Sequence, residues 1–173
     1  HWNRLYDPAS RERDEAVKAG LKQEGIEARS HAGHVLFEPW TVETKTGGYY
    51  KVYTPFWKAV RTRDPGEVLP VPDLVAPDHW PESDDVADHD LGAGMERGAD
   101  VVRPYLAVGE RAAQGRLGAF MAGPVDDYAD ARDDLARDAT SHLSENLTYG
   151  EISPRTCWWA ARRAMEEGKR GAE

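Results

Sequence analysis

The stretch ATSHLSENLTYGEISPRTCWW, residues 139–159, decides how the second half of the chain folds, because it contains two helix starts. Ser153 is a favourable N-cap residue, and Pro154 suits the first helical position, where no N–H is needed. Upstream, three hydroxyl residues fall within five positions: Thr140, Ser141 and Ser144. Capping is one interpretation of this cluster, and the local sequence favours it. The alternative is a phosphate held by the hydroxyls and by free backbone N–H groups.

The residues on either side of this stretch predict helices. From about Val108, apolar side chains recur at the spacing of one helix face, at Ala113, Leu117, Phe120 and Met121. Pro124 is placed to begin another helix, on which Tyr128 and Arg132 are one turn apart. After Pro154 we expect a buried stripe that consists of Trp158, Ala161 and Met165. The last third of the chain is therefore predicted to be all-helical.

The N-terminal residues predict the order strand, helix, strand. Short extended segments are expected at residues 2–6, 26–30 and 34–38, with a helix between the first two. Ser10 is the expected N-cap of this helix, which runs to about Glu24, and Gly25 suits the left-handed position after it. We therefore expect an α/β unit that is too small to cover its own sheet edges and faces.

An aromatic cluster and a proline-rich segment separate these two parts. Residues 41–57 are predicted to be a loop that carries five aromatic residues: Tyr49, Tyr50, Tyr53, Phe56 and Trp57. Aromatic residues mostly serve cores, so they predict a packed junction between two domains. The prolines that follow exclude a long helix or a central strand and predict a linker: Pro65, Pro70, Pro72, Pro77 and Pro81.

The composition narrows the class of protein. The chain has 173 residues, with 22 Lys and Arg against 31 Asp and Glu, for a formal net charge of −9. Taken alone, this charge argues against nucleic-acid binding, but much of the acid lies in residues 72–90, which could be far from a binding face. No apolar run approaches the ~20 residues of a membrane span, so no membrane association is expected. The single cysteine, Cys157, excludes an intramolecular disulfide and fits the reducing cytoplasm.

Two further motifs have ordinary explanations. His31 and His34 are three residues apart in an extended region, and no carboxylate or thiol completes a ligand set, so no metal site is predicted. Cys157 could serve as a nucleophile, but no basic neighbour on its helix face would lower its pKa. A core thiol is therefore expected at this position.

Five strings of the sequence resemble the DNA photolyase/cryptochrome family, in that family's order and spacing. They are WNRLYDP (2–8), LFEPW (36–40), YKVYTPFWKA (50–59), DDYADARDDLARDATSHLS (126–144) and LTYGEISPRTCWWA (147–160), of which the last two are the most specific. The resemblance extends from Trp2 to about Ala164. It implies three parts: residues 1–57 as the end of a Rossmann-like or flavodoxin-like α/β domain, 58–107 as an acidic, Pro-rich interdomain linker, and 108–173 as the start of a helical FAD-binding domain. The chain is then expected to be a fragment of a longer protein.

The resemblance also implies a site, residue by residue. Tyr128 is similar to the family's tyrosine near the flavin nucleotide, and Arg132 to an arginine that touches the DNA backbone. The loop that holds the FAD phosphates in the family corresponds to Thr140, Ser141, His142, Leu143 and Ser144. Several members have Arg at the position of His142, whose backbone N–H could still serve. Ala9 and Ser10 stand where folate-binding members have an Asn-Glu pair, so a folate antenna is not supported and the second chromophore is left unassigned.

The activity that the resemblance implies is that of a blue-light-driven deoxyribodipyrimidine photo-lyase. Reduced FAD would donate an electron to a cyclobutane pyrimidine dimer in UV-damaged DNA. A monomer is expected for the full-length protein, and the fragment alone is expected to be inactive, with no catalytic residue assigned within it. One alternative is a cryptochrome-type photoreceptor with the same FAD site and no repair activity. The other is a flavin-free helical interaction module, in which the hydroxyls only cap a helix.

Overall fold

The computed structural model describes residues 1–172 and begins with a strand–helix–strand unit. Strands β1 (Trp2–Asn3) and β2 (Ser30–His31) are parallel, and helix α1 (Pro8–Gln23) connects them. The predicted order of elements is confirmed, but the extended segment expected at 34–38 is not a strand. Because β1 is only two residues long, β2 has no partner beyond His31, and the chain bends away after it.

Two caps define helix α1. The N-cap is Asp7 and not Ser10: the Asp7 carboxylate accepts the Ser10 N–H at 2.9 Å, and Pro8 takes the first helical position. This hydrogen bond holds the pKa of the Asp7 carboxyl below its ordinary value. Gly25 ends the helix as predicted, with a φ of +75° and both hydrogen bonds of a Schellman motif.

Aromatic side chains join the N-terminal unit to the helical part. Trp158 contacts Trp57 edge-on, with 5.8 Å between ring centroids, and Phe37 at 6.2 Å. Trp57 belongs to helix α2 (Tyr53–Val60), in a region that the sequence predicts as a loop. The packing prediction is confirmed for Trp57, whereas Tyr49 and Tyr53 are exposed. The boundary proposed at residue 57 falls inside α2.

The beginning of the linker is tied to the helical part. Arg155 Nε donates to Pro65 O at 2.7 Å, and Arg155 Nη1 donates to Glu67 O at 3.2 Å. Trp159 Nε1 donates to Gly66 O at 2.9 Å. These three hydrogen bonds hold residues 65–67, within the predicted linker, against the helix that begins at Pro154.

Beyond this anchor the segment is acidic and has no regular structure before two short 3₁₀ turns, Val86–His89 and Ala93–Met95. Every residue from 67 to 98 is exposed. Helix α3 (Glu96–Val102) begins near the end of this segment, and the sequence does not predict it. Residues 64–95 contain nine Asp and Glu and no Lys or Arg. The formal charge of this segment is therefore −9, which equals that of the whole chain. The rest of the chain therefore carries 22 residues of each sign. The acidic excess belongs to the linker and not to the folded parts.

The second part, as far as residue 172, contains four α-helices: α4 (Glu110–Ala122), α5 (Tyr128–Ala131), α6 (Ser144–Thr148) and α7 (Pro154–Glu166). Their core cluster contains Ala113, Leu117, Leu143, Ile152 and Ala160, which confirms the inward face of α4. Ser153 caps α7 as predicted, by accepting the Arg155 N–H at 3.1 Å. No helix within residues 1–172 is long and apolar enough to cross a membrane.

The buried face of α7 differs from the prediction. Ala160 and Ala164 are buried, whereas Trp158 and Ala161 are half-buried and Met165 is exposed. The small alanine side chains allow α7 to pack closely against α4. The bulky Trp158 indole instead faces Trp57 and forms part of the aromatic junction.

Candidate functional site

The hydroxyl loop, residues 140–144, lies at the surface between α5 and α6. Thr140, His142 and Ser144 are exposed, Ser141 is half-buried, and Leu143 is buried in the core. The loop is thus anchored by one apolar side chain while its polar groups reach solvent. Because the Leu143 side chain is used for packing, only its backbone is available to a ligand.

The hydroxyl groups of this loop do not cap a helix. Leu143 occupies the N-cap position of α6 and makes no side-chain hydrogen bond. Within residues 1–172, the hydroxyl oxygens of Thr140, Ser141 and Ser144 take part in no hydrogen bond. The capping interpretation is therefore wrong for these residues. Since α6 has only five residues, its dipole adds little, and the donors of the loop itself are what could hold an anion.

The backbone of the hydroxyl loop also has free donors. Among the described residues, the N–H groups from Thr140 to Asn146 donate to no carbonyl. His142 has a φ of +51°, a left-handed conformation that non-glycine residues rarely adopt, and Leu143 returns to φ −91°. Such a change of hand can direct successive N–H groups to a common side, which suits an anion. The loop therefore offers hydroxyl and N–H donors together, without a Lys or Arg.

A buried polar network lies beneath the hydroxyl loop. Asn146 of α6 is fully buried, and its Nδ2 donates to Ala107 O at 2.8 Å and to Glu151 Oε2 at 2.6 Å. Glu151 Oε1 accepts the Gly109 N–H at 2.8 Å, just before α4. Arg116 Nη1 donates to Asn146 Oδ1 at 3.0 Å. The network satisfies both ends of the Asn146 amide, as a buried polar group requires.

Arg116 also reaches the hydroxyl loop directly. Its Nη1 donates to His142 O at 2.9 Å and forms an ion pair with Glu145, and its Nη2 donates to Tyr105 O at 2.9 Å. The hydrogen bond from Arg116 holds the pKa of the Glu145 carboxyl below its ordinary value. One guanidinium therefore links the segment before α4, α4 itself and the loop.

The sequence gives little warning of this network. Neither Arg116 nor Glu151 differs from the many exposed charged residues of the chain. The available signal is Asn146, which lies three residues after Leu143 and next to Leu147, on a face that the helical spacing makes apolar. An amide at such a position needs buried partners, and those partners are distant in sequence.

Tyr128 and Arg132 form a second group. Tyr128 opens α5 after a single 3₁₀ turn, Pro124–Asp126, and contacts Phe120 edge-on at 5.6 Å. The exposed Arg132 guanidinium lies 5.8 Å from the Tyr128 ring centroid and 3.7 Å from the Asp133 carboxylate. In the described part of the chain, no hydrogen bond joins Tyr128 to the hydroxyl loop. The structure therefore brings Tyr128 and Arg132 together, and the five loop residues together, as two separate groups.

The remaining candidates have structural roles. His31 Nε2 lies 3.0 Å from His1 Nδ1, and the two rings stack. Residues 1–172 contain no group of three or more His, Cys, Asp or Glu that could hold a metal ion. Cys157 is half-buried against the core cluster, and this burial raises the pKa of its thiol. A protonated thiol at neutral pH is a poor nucleophile.

Comparisons with known proteins agree with one another. Residues 1–75 match the family model described as DNA photolyase. The chain is similar to deoxyribodipyrimidine photo-lyase of Agrobacterium fabrum, with 38% identity over 163 residues, which is 93% of this chain and 34% of the relative. It is also similar to cryptochrome-2 of Arabidopsis thaliana, with 30% identity over 169 residues, which is 93% of this chain and 27% of that relative.

A solved structure gives the same result. The crystal structure of a bacterial class III photolyase from Agrobacterium tumefaciens has a TM-score of 0.86 and 38% identity, over 95% of this chain and 35% of that chain. The described chain, which is mostly helical with a two-stranded parallel sheet, thus has a counterpart in a solved structure. The chain spans about a third of the length of the photolyases it matches.

Proposed function

Because the chain belongs to the DNA photolyase and cryptochrome family, we propose that it is part of a longer, FAD-dependent deoxyribodipyrimidine photo-lyase. Its similarity to photolyases over about a third of their length supports this division. Residues 1–57 would then complete a Rossmann-like α/β domain, 58–107 would connect the domains, and 108–173 would begin the FAD-binding domain. The substrate would be a cyclobutane pyrimidine dimer in UV-damaged DNA, and the complete protein would act as a monomer.

The observation that supports this proposal most directly is the set of uncommitted donors on the hydroxyl loop. Thr140, Ser141 and Ser144 have hydroxyls that the folded chain does not use, and the neighbouring N–H groups are also free within residues 1–172. These donors fit the pyrophosphate of FAD, because a phosphate oxygen accepts hydrogen bonds from neutral donors without a cation. His142 and Leu143 would contribute their backbone N–H groups.

Tyr128 and Arg132 would act beside this loop. The Tyr128 ring is held by Phe120 on one side, which limits its motion and suits contact with the flavin nucleotide. Arg132 is exposed, and its weak surface pair with Asp133 leaves it able to bind a DNA phosphate. The acidic excess does not oppose this role, since it lies in residues 64–95.

When bound, the reduced flavin supplies the light-dependent electron transfer that splits the dimer, and the protein supplies binding and orientation. The hydroxyl loop would hold the phosphates, and Arg132 would hold the DNA backbone near the lesion. Flipping a damaged pair out of the duplex costs less free energy than flipping an undamaged one, because the stacking at the lesion is already disturbed.

The cofactor assignment is tested with Thr140→Ala combined with Ser144→Ala in the complete protein that carries this chain. Each lost hydrogen bond to a charged phosphate is worth ~1.5–3 kcal/mol, so we expect the loss of two to weaken the FAD affinity by about a hundredfold or more. Thr148→Ala is the control, because the Thr148 hydroxyl already donates to Ser144 O at 2.8 Å. Equal FAD retention in all three proteins would count against the phosphate site.

The activity is tested by the loss of dimers from UV-irradiated DNA under blue light, with a dark sample as control. Light-dependent repair by the flavin-bound protein is the expected result. A flavin-bound protein without repair would instead indicate a cryptochrome-type photoreceptor, which the similarity to cryptochrome-2 makes the second candidate. A colourless protein that takes up no FAD would indicate an interaction module.

A further inference from the structure

The hydroxyl loop does not determine its own conformation. Its hydroxyl side chains make no hydrogen bond within residues 1–172, and its one buried side chain is Leu143. Yet His142 holds a left-handed φ of +51°, which a residue with a β-carbon adopts only where its surroundings favour it. The contacts that favour it must therefore come from outside the hydroxyl groups.

Two contacts reach His142 in the structure. Arg116 Nη1 donates to His142 O at 2.9 Å, and the His142 ring Nε2 lies 2.6 Å from Asp138 Oδ1. The Asp138 contact is between exposed side chains and is correspondingly weak. The Arg116 side chain is only 20% exposed and is held at its other end by Tyr105 O. Arg116 is therefore the stronger of the two constraints.

The position of Arg116 is itself fixed by the buried network. Its Nη1 contacts Asn146 Oδ1, and Asn146 is bonded to Glu151, which accepts the N–H of Gly109 just before α4. The hydrogen bonds thus connect the start of α4 to α6, which follows the hydroxyl loop, and α6 back to the middle of α4. Together with the chain of α4 they form a closed ring of contacts. Such a ring resists the movement of any one member, because displacement would leave buried polar groups unpaired.

We propose that Arg116 is a positioning residue for the bound dinucleotide: by holding His142 O, it sets the direction of the loop donors toward the phosphates. This inference rests on the proposed function of the hydroxyl loop. In this scheme Arg116 acts without touching the cofactor, since its Nη1 and Nη2 donate to protein acceptors.

The test compares FAD with riboflavin, which carries the same ring system without any phosphate. In the complete protein, Arg116→Lys keeps the charge but loses the fork that spans His142 O and Tyr105 O. We expect it to weaken FAD binding by about tenfold, the effect of one hydrogen bond to a charged group, and to leave riboflavin binding nearly unchanged. Arg111→Lys is the matched control, because Arg111 is exposed on the same helix.

The outcomes separate this inference from the proposed function. If Arg116→Lys weakens FAD and riboflavin equally, its role is general stability and the inference is wrong. If Thr140→Ala with Ser144→Ala lowers the ratio of FAD to riboflavin affinity while Arg116→Lys does not, the phosphate site stands and the inference fails. If neither protein changes this ratio, both fail.

A second variant serves if Arg116→Lys does not fold. Glu145→Gln leaves Arg116 in place and removes only the charge that pairs with it. A smaller decrease in FAD affinity, again with riboflavin unaffected, is the expected result. No change in either affinity would contradict the inference, because the guanidinium would then not depend on its ion pair to position the loop.

Discussion

Asn146→Asp is the sharpest test of the buried network, because it changes one buried atom and almost no volume. The Asn146 side chain is fully buried, and its Nδ2 donates to Ala107 O and to the Glu151 carboxylate. Replacing that donor with an oxygen removes both hydrogen bonds. It also places a second carboxylate beside Glu151, in a position that solvent does not reach.

The magnitude follows from the partners. A hydrogen bond to a charged group is worth ~1.5–3 kcal/mol and one between neutral groups ~0.5–1.5 kcal/mol. Adding the repulsion between two buried carboxylates, we expect the free energy of unfolding to fall by about 3–5 kcal/mol at neutral pH, near the upper end for single substitutions. Gln114→Glu is the control, because it makes the same chemical change on the exposed face of α4, where Gln114 Nε2 contacts Glu110. It should lower the free energy of unfolding by less than ~0.5 kcal/mol.

The loss should depend on pH in a defined direction. Arg116, whose Nη1 lies 3.0 Å from Asn146 Oδ1, would lower the pKa of the introduced carboxyl, but its charge is already paired with Glu145. Burial and the nearby Glu151 would outweigh it and raise that pKa above the ordinary Asp value of ~3.9, so the protonated form is favoured in the folded state. The difference from wild type should therefore be large at pH 8 and shrink at pH 5, where protonation restores an O–H donor. Urea unfolding of the complete protein, followed by tryptophan fluorescence, measures both. A loss below ~1 kcal/mol at pH 8, equal to that of the control, would refute the network.

Three further predictions concern the linker, a helix end and the cysteine. Arg155→Ala should speed proteolysis at the start of the linker, because its hydrogen bonds to linker carbonyls are lost; the exposed Arg162→Ala should not, and equal rates would contradict the anchor. Gly25→Ala should lower the unfolding free energy by ~1–2 kcal/mol, since its φ is +75°, whereas Gly20→Ala within α1 should raise it by ~0.5–1 kcal/mol. Cys157 should react slowly with iodoacetamide at pH 7 until the protein unfolds, because burial raises the pKa of its thiol; rapid labelling of the folded protein would be inconsistent with this environment.

The sequence was sufficient to predict a helix end wherever only one residue suited the capping position. Ser153 followed by Pro154 specifies a helix start, and Gly25 specifies a helix end, because each residue type suits one backbone position. At the first helix two N-caps were available. Ser10 was expected, but Pro8 favours the first helical position and thereby makes Asp7 the cap.

Tertiary contacts decided the features that the sequence did not predict correctly. The spacing on α7 allows several inward faces, and the face lined by Ala160 and Ala164 is used because Trp158 packs against α2. The hydroxyls of the loop match a capping pattern, yet they cap nothing, because the backbone turns at His142. The assignment of Tyr128, Arg132 and the loop to FAD and DNA comes from family resemblance and stays a prediction.

The acidic segment from Asp64 to Met95, which is exposed from Glu67 onward, accounts for the whole formal net charge of the chain. The acidic pI of about 5.2 therefore results from the acidic segment between the two folded halves and not from the surfaces of those halves. In physiological salt the electrostatic field of the acidic segment is screened over ~8 Å. A polyanion that approaches either folded half farther than this from the segment is therefore not repelled by it. Cleavage after Glu67 and after Met95 would remove most of this acid and move the folded halves toward neutrality on an ion-exchange column, while the hydrogen bonds to residues 65–67 stayed in place.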